Sequence, residues 1–170
     1  MNAAPDEVRL VRALRLRNQG LVPGAGRWAA VPEVARGMVA LQAQDPRAVL
    51  HALSLRCAGH PTEASVAAEF DAARVVRNRP SRGTLQVTAS EEMHWLSALM
   101  TPRSNAAAVK RRSTIGVTDA MVEAVGEVMR SELEGGRVRT RPELVAACAE
   151  AGIALDGARA GTSCGTTPRS

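Results

Sequence analysis

Leu41-Gln42-Ala43-Gln44-Asp45-Pro46 decides how the rest of the chain reads, because it closes one helical pattern and opens another. Val34, Met38 and Leu41 make an i, i+4, i+7 apolar stripe. That spacing predicts a helix starting at Pro32, with Gln42 and Gln44 flanking the stripe where the helix stops. Asp45 is a strong N-cap and Pro46 suits a first helical position, so the next helix is predicted from Pro46 through Val49, Leu50 and Leu53 to about Cys57. Upstream, Val8, Val11 and Leu14 recur at helical spacing between Pro5 and Asn18, with Gly20 as a stop and a loop from Leu21 to Trp28. Three helices with a very short turn between the second and third give a helix-turn-helix arrangement, in which the third helix lies against DNA.

Downstream, Thr62 caps a short helix to Phe70. Val75 and Val76, and then Thr84 to Thr88, are β-formers on either side of a polar turn from Asn78 to Gly83, as expected of a two-stranded wing. Arg74, Arg77, Arg79 and Arg82 fall in or beside this hairpin. Four arginines on one hairpin make poor core material and suit a phosphate backbone. Ser90, Glu91 and Glu92 open a helix whose apolar face is Met93, Leu96, Leu99 and Met100, and Trp95 reads as core. Lys110-Arg111-Arg112 is a second basic cluster, in a linker or short helix, with phosphate contact and plain solvation both open.

A second unit opens at Thr118 with a helix to about Leu133. A short strand at Arg137 to Arg139 follows, and then a helix to Ala151 behind the capping box Thr140-Arg141-Pro142-Glu143. The fold expected is mainly α with small β wings, a tandem winged helix whose second unit is incomplete. Its divisions are an N-terminal winged helix over residues 5–88, a connecting helix and basic linker over 89–117, a partial second winged helix over 118–156 and a tail over 157–170. Ala158 to Ser170 is small, polar and without apolar periodicity, which reads as an out-of-frame tail on a truncated homologue, the alternative being a natural disordered tail.

Charge and composition restrict the function. The 22 basic against 17 acidic residues, with a pI near 10.3, favour a polyanionic partner, and Lys110 is the only lysine. Aromatics are only 2%, so the core is aliphatic and helical. Cys57, Cys148 and Cys164 fall at no metal-ligand spacing and read as small buried hydrophobes in a reducing compartment. The first apolar run is broken by Arg9, Arg12, Arg15 and Arg17, which excludes a signal peptide or membrane span there and points to the cytoplasm.

Gln42-Ala43-Gln44-Asp45-Pro46, followed by Arg82-Gly83-Thr84-Leu85, resembles the AlkZ-like winged-helix DNA glycosylases over about residues 6 to 155. The resemblance implies tandem winged helices that cradle double-stranded DNA, excision of alkylated purines and unhooking of crosslinks, with Gln42 and Gln44 as the catalytic pair. Where the family has a histidine after Gly-Thr-Leu, this chain has Gln86; where it has an aromatic and a methionine before the Arg-Gly, this chain has Asn78 and Pro80 or Ser81. Neutral amides suit the chemistry, since an N7-alkylated purine is already cationic and leaves without a strong general acid. Lys110 has no motif context for Schiff-base chemistry, so the resemblance implies a monofunctional hydrolase needing no metal or cofactor. The alternatives are a winged-helix transcriptional regulator or non-catalytic DNA-binding module in which Gln42 and Gln44 merely end a helix, and an inactive truncated homologue.

Overall fold

The computed structural model describes residues 5–22, 28–81 and 83–155. Arg82, Cys164, the tail at 157–170 and most of the loop between Leu21 and Trp28 lie outside them. Contacts divide the chain between Thr101 and Pro102. The connector expected over 89–117 is thereby split between two units.

In the first unit, α1 (Pro5–Asn18), α2 (Val31–Met38), β1 (Leu41–Gln42), α3 (Pro46–Arg56), α4 (Glu63–Asp71), β2 (Val75–Ser81) and β3 (Thr84–Ala89) lead through a 3-10 turn to α5 (Met93–Met100). The strands form one antiparallel sheet in the order β1-β3-β2. Val34 and Ala35 from α2, Val49 and Leu53 from α3, Val66 from α4, and Ala43, Val75, Val87 and Ala89 around the sheet form one buried cluster. The three packed helices are therefore α2, α3 and α4, and the third of them is α4 rather than α3. The expected start of the arrangement, α1, forms over the predicted residues but leaves Val8, Val11 and Leu14 exposed.

The expected second helix ends earlier than its apolar spacing suggests. Val39 takes φ 62° and ψ −54°, and the Ala40 N–H donates to the Met38 carbonyl at 2.7 Å. This is a γ-turn of the strained hand, held by a β-branched residue. It ejects Leu41 from the helix into β1, opposite Val87. Leu41 still packs against the core, now from a strand. Its spacing from Val34 suited either route, and the sheet partner decided between them. In the hairpin, β2 runs on through Asn78 to Ser81, residues expected in the turn. Buried Pro80 is accommodated where the register shifts between Asn78 and Ser81.

Local caps follow their sequence signals. Thr62 accepts from Ser65 N–H at 3.2 Å, and Thr118 from Met121 N–H at 3.2 Å. Ser90 differs: its hydroxyl donates to the Ala73 carbonyl and ties the end of β3 to the start of β2 instead of capping a helix.

The second unit holds α6 (Pro102–Thr114), α7 (Asp119–Leu133) and α8 (Arg141–Glu150), so the basic cluster lies on a helix. Val117, Val125 and Cys148 are its buried apolar residues among those described. The short strand expected at Arg137 to Arg139 does not form. A strand needs a neighbour, and among the described residues this unit has none; Arg137 donates to the Glu134 carbonyl and Arg139 pairs with Glu132 at 2.9 Å instead. At Thr140 the capping box holds, with its N–H donating to the Glu143 carboxylate at 2.6 Å.

Candidate active site

Side chains alternate across a strand, so residues two apart share a face. Leu41 packs on the core and Ala43 is buried, which turns Gln42 and Gln44 together to the exposed side. On the helix expected for this stretch the same two residues would point about 200° apart, and i,i+2 pairs do not meet. Here they do: Gln42 Nε2 donates to Gln44 Oε1 at 3.1 Å. This leaves the Gln42 carbonyl oxygen and the Gln44 NH₂ facing outward as one acceptor and one donor group.

The backbone around the pair is fixed from several directions. The Ala43 N–H extends the β1–β3 ladder by donating to the Leu85 carbonyl at 2.9 Å. Asp45 accepts from the N–H groups of Arg47 at 2.8 Å and Ala48 at 3.1 Å, capping α3 immediately after the motif. A carboxylate so engaged is a structural group rather than a general base. Gln42 lies opposite Gln86, which lies opposite Asn78. Paired residues in adjacent strands share a face, so three carboxamides form a row across the sheet. Asn78 Nδ2 donates to Thr88 Oγ1 at 3.0 Å, while Asn78 Oδ1 and Gln86 Oε1 are buried without a donor among the described residues.

The hairpin arginines have different surroundings. Arg74 donates to Glu69, one contact being 2.8 Å. This hydrogen bond, with the attraction between the charges, holds the Glu69 carboxyl below its ordinary value and the Arg74 guanidinium above its own. Arg77 is exposed and lies along the sheet, its Nε donating to the Ala43 carbonyl at 2.6 Å and a terminal nitrogen to the Gln44 carbonyl at 2.9 Å. Arg79 is exposed on β2, with no ion-pair partner among the described residues. On α6, Lys110 and Arg111 are exposed, whereas Arg112 is only 7% exposed and presents little surface to a partner. Trp95, expected in the core, is 48% exposed on α5.

Sequence reading passed over Arg47, which is exposed in the first turn of α3, three residues beyond Gln44. A signal was present: a cation in the first helical turn opposes the macrodipole, so its position calls for a reason outside the helix. Cys57 is fully buried, and burial, with Glu33 and Glu69 adding to it, pushes its thiol up and makes it a poor nucleophile. Among the described residues no group of three His, Cys, Asp or Glu could hold a metal ion, and no helix is long and apolar enough to cross a membrane.

No curated protein and no solved structure matches the chain. A family model described as DNA glycosylase AlkZ-like matches residues 35–167, a span that contains the carboxamide pair, the whole sheet and the helices of the second unit. With well over half of its length matched, the chain belongs to the AlkZ-like DNA glycosylase family.

Proposed function

We propose that this chain hydrolyses the N-glycosidic bond of N7-alkylated purines in double-stranded DNA, with Gln42 and Gln44 as the catalytic pair and the cytoplasm as its place of action. The observation that carries the reading is the exposure of both carboxamides, Gln42 at the end of β1 and Gln44 just beyond it, hydrogen-bonded to each other and beside a basic hairpin. The order α2-β1-α3-α4-β2-β3, with its three-stranded sheet, is read as a winged helix whose wing is β2–β3. Residues 118–156 are read as part of a second one.

The chemistry follows from the substrate. Alkylation at N7 makes the purine cationic, so the electrons of the bond from C1′ to N9 flow into the ring and the base departs neutral. What remains is an electron-poor sugar and a water that must be aimed at C1′, where it forms the new C–O bond and releases its proton to solvent. In the observed pairing, the outward carbonyl oxygen of Gln42 accepts a hydrogen bond from that water and offers partial negative charge to the sugar. The outward NH₂ of Gln44 holds a phosphate or deoxyribose oxygen. Crosslinks joined through guanine N7 present the same cationic leaving group, and their unhooking is the same step. Arg79, Arg82, Arg47 and the exposed Lys110 and Arg111 are proposed phosphate contacts. Arg74 joins them when DNA displaces Glu69, and Arg112 is the least accessible member.

A regulator that reads base edges would place α4 in the major groove. That helix has the sequence Glu63-Ala64-Ser65-Val66-Ala67-Ala68-Glu69-Phe70-Asp71, with three carboxylates and no arginine, lysine, asparagine or glutamine. Such a surface is repelled by phosphates and lacks the arginine, lysine, asparagine and glutamine that read guanine and adenine. The test is release of N7-methylguanine from methylated duplex DNA by the wild type and by Gln44→Ala. Release that depends on Gln44 supports the reading; unchanged release by the variant, or sequence-preferring binding with no excision, ends it.

A further inference from the structure

We infer that Arg77 is a positioning residue that sets the orientation of Gln44, rather than a phosphate contact of the wing; the inference rests on the glycosylase reading above. Arg77 stands on β2 opposite Val87 of β3, so its side chain crosses the central strand to reach the motif on the far edge. There its two hydrogen bonds go to consecutive carbonyls, Ala43 and Gln44. The Ala43 carbonyl belongs to the peptide entering Gln44 and the Gln44 carbonyl to the peptide leaving it. Peptides are rigid planes, so a group that holds both fixes φ and ψ of the residue between them, and with them the direction of its side chain.

Among the described residues no other group holds both carbonyls. The β1 ladder ends with the bond from Ala43 to Leu85, and among the described residues β1 is an edge strand with β3 as its neighbour. The first free N–H groups of α3 are taken by Asp45, not by the motif carbonyls. Among the described residues Arg77 is the donor these two carbonyls have. A planar guanidinium fork can satisfy both at once; an ammonium is a point donor on a flexible stem. A carboxamide that must hold a phosphate or deoxyribose oxygen in register with the reacting sugar gains from such support, since a catalytic group displaced by about 1 Å loses on the order of 10² in rate.

Two substitutions separate this role from phosphate binding. Arg77→Lys keeps the charge and loses the fork, and Arg77→Gln removes the charge. Both are first compared with wild type by far-UV circular dichroism. For Arg77→Lys we expect single-turnover excision of N7-methylguanine to fall about 10- to 100-fold. The ¹³C carbonyl resonances of Ala43 and Gln44 should shift, and the Gln44 side-chain amide should become more mobile by NMR relaxation. For Arg77→Gln we expect the slope of log affinity against log salt, on undamaged duplex, to stay at the wild-type value. The inference is overturned if Arg77→Lys excises at the wild-type rate or leaves those resonances unmoved. It is equally overturned if Arg77→Gln lowers the slope by about 0.9, as loss of one phosphate contact would, or if both variants unfold, which would make Arg77 a support of the fold rather than of the site. Should the wild type release no base at all, it is the glycosylase reading that fails, and the NMR comparison still decides whether Arg77 orients Gln44.

Discussion

The first unit buries Val34, Leu53, Val66, Val75 and Val87 completely and sets its carboxamide pair on that core, whereas the described part of the second unit has Val125 and Cys148 buried to the same degree and carries exposed cations on α6. The difference follows what each set of groups must do. On the proposed reading, two amides that act on one sugar need positions held to a fraction of an ångström, which interdigitated packing supplies. On the same reading, Lys110 and Arg111 attract a phosphate chain over about a Debye length and need no such close packing.

The comparison is sharpest at the pair itself. Replacing Gln44 by Ala is expected to lower excision by about 10² to 10³, as loss of a preorganised polar contact commonly does. Because Gln44 is exposed, the urea midpoint should stay unchanged. A parallel loss of stability would show that the amide belongs to the scaffold. Next comes the core beneath it: Leu53 is fully buried, and Leu53→Ala should cost about 3 kcal/mol in urea unfolding and take the site with it.

A pair of glycines tests the packing contrast directly. A Cβ on Gly37 of α2 would lie 2.4 Å from Cζ2 of the Trp28 ring, so Gly37→Ala must push the indole aside and should destabilise the first unit by about 2 kcal/mol. On Gly126 of α7 the nearest atom would be the flexible end of Arg130 at 3.4 Å. Gly126→Ala should therefore gain about 0.8 kcal/mol from helix propensity. Amide hydrogen exchange read separately in α2 and α7 gives both values, and equal costs would erase the distinction drawn here.

The smallest effect is in pH. The Thr140 hydroxyl and backbone N–H donate to the Glu143 carboxylate and hold it below its ordinary value. A carboxyl depressed in the folded state contributes stability that is fully present above its unfolded pKa, about 4.3. That contribution is lost as pH falls through the lower folded value. Exchange protection in α8 should therefore decline on acidification below about pH 4.3, and Glu143→Gln should flatten the decline. A decline of the same size in the variant would assign it to other carboxylates.

What the sequence determined by itself is the local chemistry of helices. Asp45 with Pro46, Thr62, Thr118 and Thr140 with Glu143 each satisfy N–H groups within a few residues of themselves, so each helix start was legible without knowing what it packs against. The motif was legible as residue types in a spacing, and a basic hairpin as a run of β-formers around arginines. What only the tertiary structure decided is everything that depends on a distant partner. Leu41 and Gln42 become a strand because Val87 and Gln86 lie beside them, and that change from a helical to a twofold period brings two carboxamides into contact. Likewise α4, not α3, completes the helical core because Val66 finds its place there, and Trp95 stays half in solvent because Leu96 is the residue of α5 that is buried. Arg77 reads as one more cation on a wing until β3 brings Ala43 and Gln44 within its reach. A guanidinium binds whichever acceptors the fold sets before it, and no spacing along the chain records that choice.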